Sequence, residues 1–257
     1  MKIQKSEYVI AFYTFQEGLR NRLFTMTAIG LVCLFGLTEF IGDLSITEAR
    51  QIQASLAGSI MRLFAVVTVI LFVLTSMTRE INDKGLELIL AMPLKRSSYY
   101  LGKFIGHYGL AVVIIMLAAL LLLLYAEPVD VMAWGFSLIC EIGVLIALSM
   151  LCQFTFSNVT VSFVVAMAFY LLARSNAAIQ LVSGNPLLEI DTLSQDFMKL
   201  LLDGIALVMP DMADYTRSEW LVYGFEPAAL YRVIVQTVIY MPLLLAAGLF
   251  DLYRKDL

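Results

Sequence analysis

Apolar residues in this chain come in long blocks, and polar residues collect between them. The blocks fall at about 23–42, 59–78, 104–125, 131–153, 160–173 and 229–250. Most are near the roughly 20 residues a helix needs to cross a hydrocarbon core of about 30 Å. The pattern predicts an all-α membrane protein, one domain over residues 1–257, with six transmembrane helices. Residues 1–22 read differently. Ile3, Tyr8, Phe12, Phe15 and Leu19 alternate with Lys5, Glu7 and Gln16 at helical spacing, which predicts an amphipathic helix lying at the membrane surface.

Two polar stretches are too patterned to be plain loops. In 79–103, Ile81, Leu88, Ile89 and Met92 form an apolar stripe widened by Leu86 and Leu90. Glu80 and Lys84, four apart, are placed to pair on a helix surface. Pro93 stops the helix, and Lys95 and Arg96 follow where cations suit a helix C-terminus and anionic headgroups. Ser97 is placed to cap the next helix. The segment reads as a short surface helix, a hard stop and a re-entry, either an ordinary loop or a docking handle. In 174–228, Thr192-Leu-Ser-Gln195 fits a capping box. Phe197, Leu200, Leu201, Ile205 and Val208 then share a face up to Pro210, giving an interfacial or re-entrant helix.

Composition confirms the class and adds orientation. The chain is 61% hydrophobic and 15% charged, against about 25% charged in soluble domains. Lys2, Lys5, Arg20, Arg22, Arg79, Lys84, Lys95, Arg96, Lys103, Arg254 and Lys255 fall on one side of a six-span layout. Only Arg50, Arg62, Arg174, Lys199, Arg217 and Arg232, a minority of the 17 basic residues, fall elsewhere. The positive-inside rule then puts both termini and 79–103 in the cytosol. The opposite side is acidic, with Asp43, Glu48, Glu127, Asp130 and a series from Glu189 to Glu226. The first 20 residues carry charges and lead to no cleavage site, unlike a signal peptide. Cys33, Cys140 and Cys152 make no CxxC spacing and read as packing residues.

Glu80, Lys84-Gly85, Glu87, Leu88-Ile-Leu-Ala91, Pro93, Arg96 and Gly102-Lys103 resemble the segment after the second span of ABC-2-type transporter permeases. The group includes permeases for drug and lipid export and for copper-enzyme maturation. Leu19-Arg-Asn-Arg22 resembles the end of that family's connecting helix. Val208-Met-Pro-Asp-Met-Ala-Asp-Tyr215 is similar to a motif before its last span, and Phe250-Asp-Leu-Tyr-Arg-Lys-Asp-Leu257 to its ending. The resemblance implies a prokaryotic inner-membrane subunit that pairs with a second copy or a related permease. It also implies a cytosolic ATPase docked on Arg79, Glu80, Lys84, Gly85, Glu87, Leu88, Pro93, Lys95 and Arg96. ATP and Mg would sit on that partner, because this chain has no Gly-x-x-x-x-Gly-Lys-Ser/Thr loop. Export is the direction by analogy.

Other chemistry is sparse. No Ser/His/Asp or Cys/His constellation marks an enzyme, and nothing suggests nucleic acid. Glu141 stands near mid-depth of its span, where a carboxylate is costly and faces protein or water. It either lines a path or is hydrogen-bonded between helices. Glu39 and Arg62, near the outer ends of adjacent spans, read as an ion pair. Gln153 and Asn158 read as turn groups, and Trp134, Tyr125, Tyr170, Trp220 and Tyr223 as interfacial belt residues. The lone His107 and the 13 methionines make no metal site. Apolar spans favour a hydrophobic or amphipathic cargo, and the acidic 174–228 segment suits an extracytoplasmic protein partner. The alternatives are an ATP-coupled assembly or signalling subunit that moves no solute, and a secondary transporter. Against the latter, Glu141 is the only clear charge at mid-depth.

Overall fold

The computed structural model describes residues 4–43, 49–83, 95–184, 204 and 209–254. These residues form helices and no strands. In chain order they are α1 (Gln4–Arg20), α2 (Arg22–Asp43), α3 (Ala49–Asn82), α4 (Arg96–Leu122), α5 (Pro128–Phe156), α6 (Val159–Gly184), α7 (Met212–Tyr215), α8 (Trp220–Tyr223) and α9 (Pro227–Arg254). Five of them, α2, α3, α4, α5 and α9, are long and apolar enough to cross a membrane, and α6 has a shorter apolar stretch at Val159–Ser175.

Local sequence sets the ends. Asn21 interrupts the run from α1 into α2 and accepts from the Leu23 amide at 3.1 Å through Oδ1, capping α2. Pro128 and Pro227 stand at the first positions of α5 and α9, where the missing N–H has no intrahelical partner anyway. At the far end of α5, Ser157 adopts a left-handed φ of 54°, and Asn158 Oδ1 accepts from the Thr160 amide at 2.9 Å to start α6. Ser97 does not cap α4. The helix already starts at Arg96, with Lys95 as the cap residue and no side-chain cap bond.

α5 lies at the centre. Its most apolar 18-residue window is 83% buried, against 17% for those of α2 and α9. The centre is therefore protein-lined, and the faces of α2 and α9 are left outward. Trp134 on α5 and Tyr170 on α6 are fully buried and are not belt residues. The interior position of these helix faces leaves neither ring a lipid-facing side. Trp220 and Tyr125 are buried as well, and of the five expected belt residues Tyr223 alone is exposed, at 84%.

α1 is helical as expected and is held against the bundle. It packs lengthwise and in parallel with the first half of α4. Glu7 Oε1 accepts from Ser98 Oγ at 2.9 Å, Gly102 faces Ile10, Gly106 faces Ala11 and Thr14, and Gly18 faces Leu110. Glycines make this possible. A Cβ on Gly102 would come within 3.0 Å of the Glu7 carbonyl oxygen, and one on Gly106 within 2.8 Å of the Ala11 carbonyl oxygen. The spacing Gly102-x-x-x-Gly106 thus brings two backbones together, as small residues do in lipid. Among the other glycines, Gly30 meets Phe64 and Gly109 lies by Phe15, while Gly36 has nothing within 4 Å.

Replacing Gly106 by Val is expected to separate α1 from α4 while leaving the rest of the bundle folded. An overpacking cost of about 1–3 kcal/mol corresponds to about 5- to 150-fold faster amide exchange over residues 4–20. Unchanged exchange there would show that α1 is not held by this contact.

Candidate functional site

The deepest polar cluster is built on Arg62. This residue lies about 20 Å along α3 from Ala49, and Glu141 about 20 Å along α5 from Pro128, at 1.5 Å per residue. Both side chains are fully buried, and Arg62 Nη1 donates to Glu141 Oε2 at 2.6 Å. The same nitrogen donates to the Tyr215 carbonyl at 2.6 Å. Nη2 donates to the Trp134 carbonyl at 3.2 Å and to Ser137 Oγ at 2.9 Å. The guanidinium carbon stands 5.0 Å from the centre of the Trp134 ring. One cation therefore ties α3, α5 and the one-turn helix α7.

This corrects two readings of the sequence. Arg62 does not pair with Glu39, and Glu141 is not the sole charge at mid-depth. Arg62 shares its face of α3 with the buried Ala54, Met61, Ala65 and Val69 and points into the bundle. Glu39 is exposed on α2. Sequence spacing placed the two near adjacent helix ends but gave no information on which way each pointed. The missed partners were Ser137, Trp134 and the Tyr215 carbonyl. A main-chain acceptor carries no residue signature, so no sequence signal identifies the last.

α7 is anchored on its other side as well. Asp214 accepts from Arg232 Nε on α9 at 2.8 Å and from Arg217 at 2.8 Å. The Tyr215 hydroxyl lies 3.0 Å from Thr237 Oγ1, also on α9. The described part of the 174–228 segment thus includes a short plug in the end of the bundle away from residues 79–103. The capping box at Thr192 and nearly all of the helix expected after it lie outside the described residues.

A second polar layer closes the basic end. Glu80 pairs with Lys103 at 2.6 Å, and Arg79 with Glu17. Gln153, buried rather than at a turn surface, donates to Thr78 at 2.7 Å, and Thr155 to Asp251 at 2.5 Å. Arg96 donates to the carbonyls of Leu252 and Tyr253 at 3.1 and 3.4 Å, a cation at the C-terminus of α9. Of the expected docking residues, Arg79, Glu80, Lys95 and Arg96 are described. Lys84, Gly85, Glu87, Leu88 and Pro93 lie outside the described residues, and so does the expected Glu80–Lys84 pairing. The structure joins Glu80 to Lys103 on α4. Both stems of the 84–94 segment are therefore fixed to the bundle, one through α3 and one through α4 and α9.

The family model for the ABC-2 family transporter protein matches residues 28–257. The chain belongs to the ABC-2 transporter family. No curated protein matches it. Membership makes this a multi-pass membrane permease component of an ABC transporter, a class that associates with an ABC ATPase. It fits a bundle of apolar helices with a polar layer at one end and a buried ion pair within.

No group of three or more His, Cys, Asp or Glu converges among the described residues of this ABC-2 protein. His107 Nδ1 lies 2.8 Å from the Lys103 carbonyl of its own helix, and its ring meets Phe72 edge-on. Cys140 and Cys152 are buried free thiols, and Cys33 is an exposed one.

Breaking a buried ion pair by removing one partner costs about 3–5 kcal/mol, whereas replacing both by apolar groups is often neutral. Glu141→Leu alone is therefore expected to lower the thermal midpoint of the detergent-solubilised protein strongly. The double variant Arg62→Met/Glu141→Leu is expected to recover part of the loss. Additive losses in the double variant would mean that the two groups act separately.

Proposed function

We propose that this chain is the membrane half of an ATP-driven exporter for a hydrophobic or amphipathic cargo. A separate cytosolic ATPase, carrying ATP and Mg, docks on the 79–96 segment. The permease works with a second copy or a related chain, with both termini and the basic end in the cytosol of a prokaryotic cell. The acidic opposite side is the surface for any extracytoplasmic partner.

One observation carries this reading: both stems of the docking segment are bonded into the helices they join. A push on 84–94 would reach α3 and α4 through the chain, with Glu80–Lys103 tying those two together and Arg79–Glu17 tying α3 to α1, and would reach α9 through Arg96. α3 and α9 also hold α7 at the far end, through Arg62 and through Arg232 and Thr237. Motion at the basic end would therefore bear on the plug. At the Arg62–Glu141 pair, Arg62 Nε and Glu141 Oε1 have no hydrogen-bond partner among the described residues. That unused capacity suits a contact that exchanges partners as the plug moves. Exposed apolar faces and few fixed charges suit an amphipathic cargo better than a small ion.

A secondary carrier is disfavoured on new grounds. The mid-depth carboxylate does have a charged neighbour, but that neighbour is an arginine that neutralises it in a fully buried pair. A carrier cycle needs a group that meets solvent ions.

The test is co-purification from the native host in mild detergent with ATPase activity assayed on the eluate. Glu87→Arg is expected to remove a stoichiometric ATPase and lower the activity more than tenfold, as loss of an interfacial charge contact does. Lys103→Met is expected to keep the ATPase bound but to weaken its response to cargo. A full complement of active ATPase on the Glu87→Arg protein would refute docking at this segment. A bound ATPase with no cargo movement in vesicles would point to the non-transporting assembly role.

A further inference from the structure

The corner between α1 and α2 is an open depression of about 660 Å³ lined by Tyr13, Glu17, Arg20, Asn21, Arg22 and Arg79. Three guanidinium groups meet one carboxylate there. Glu17 is engaged with Arg79, while Arg20 and Arg22 are exposed and have no side-chain partner among the described residues. The corner therefore carries uncompensated positive charge.

Its depth in the membrane follows from α2. The 22 residues of α2 span about 33 Å at 1.5 Å per residue, close to the hydrocarbon thickness. Arg22 is the first of them, so the three arginines stand at the level of one leaflet's phosphates. From Arg22, the residues Met26, Ile29, Cys33, Leu37 and Phe40 follow at helical spacing, and all are exposed. On the other side of the corner, Tyr8, Phe12 and Tyr13 of α1 are 61–67% exposed. Aromatic rings of this kind settle at the headgroup layer.

We propose that the α1–α2 corner binds an anionic phospholipid. Its phosphate-bearing headgroup lies on Arg20, Arg22 and Arg79, and an acyl chain runs along the Met26–Phe40 stripe. Guanidinium forks match phosphate oxygens in pairs. A free phosphate would use the arginines but leave the continuous apolar stripe unexplained. A second protein copy seated on the stripe would have to cover two arginines that lack a counter-charge. The proposal is independent of the export reading, since it needs neither ATPase nor cargo.

The test is native mass spectrometry of the detergent-purified chain, titrated with dioleoyl phosphatidylglycerol or dioleoyl phosphatidylethanolamine. The wild type is expected to bind the glycerol lipid about 10- to 30-fold more tightly. Arg20→Gln/Arg22→Gln should weaken that lipid by about 10- to 30-fold, at about a factor of five per arginine, without affecting the ethanolamine lipid. Arg254→Gln, at another exposed arginine, should leave the preference intact. Both corner arginines are exposed and unpaired, so the variant should keep its thermal midpoint. Independently of any variant, raising the salt on the wild type should weaken the preference, as screening requires. Equal binding of the two lipids, or a preference that survives the double substitution, would overturn the proposal. So would displacement of the lipid by inorganic phosphate alone, the mark of a soluble-anion site, or a lipid-free dimer formed through the α2 stripe.

Discussion

The Arg62 guanidinium sits in the middle of the bundle, and its desolvation must be offset on the spot. Two side chains and two main-chain carbonyls do so, with the Trp134 ring alongside. Those groups come from α5 and from α7, with Arg62 itself on α3. Satisfying one charge therefore fixes the relative position of three elements far apart in sequence. α7 has only four residues and could not hold itself in place by helix formation alone. Its position comes from Arg62 on one side and from Arg232 and Thr237 of α9 on the other.

The two ends of the bundle are built on different principles. At the basic end, contacts are shared among α1, α3, α4, α5 and α9 through paired charges and amide or hydroxyl bonds. At the other end, two short helices, α7 and α8, are wedged between long ones. The first arrangement distributes load over many helices, and the second concentrates it on a few bonds. That asymmetry suits a device driven from one end and opened at the other.

Much of the fold was readable because it rests on block length. Runs of apolar residues of membrane-crossing size leave few alternatives, and the prolines and Asn21 sit at helix ends for reasons that are local. The helices exceed the apolar blocks because amphipathic turns such as 96–103 continue them past the hydrocarbon, where hydropathy no longer marks them. The site was less readable. Glu141 stood out as a costly charge, but Arg62 was paired with Glu39 instead, since Arg62 and Glu141 lie 79 positions apart and facing direction depends on packing. The burial of Trp134 and Tyr170 was missed for the same reason: a belt residue and a core residue look alike until the helix's place in the bundle is known. The docking residues rested on motif alone, and of them the described residues include Arg79, Glu80, Lys95 and Arg96.

The glycine contact between α1 and α4 also constrains the order of biogenesis. α1 leaves the ribosome first, yet the surface it packs on, around Ser98 to Leu110, is made about 90 residues later, some 5–20 s at ordinary rates of synthesis. During that interval the flank that α4 will cover, with Ile10, Ala11, Thr14 and Gly18, has no protein to rest against. The nascent helix must wait on lipid or on a chaperone until α4 is inserted, and only then can the two backbones close. A contact this tight thus acts as a late checkpoint, completed only once the first three membrane-crossing helices have been threaded in register.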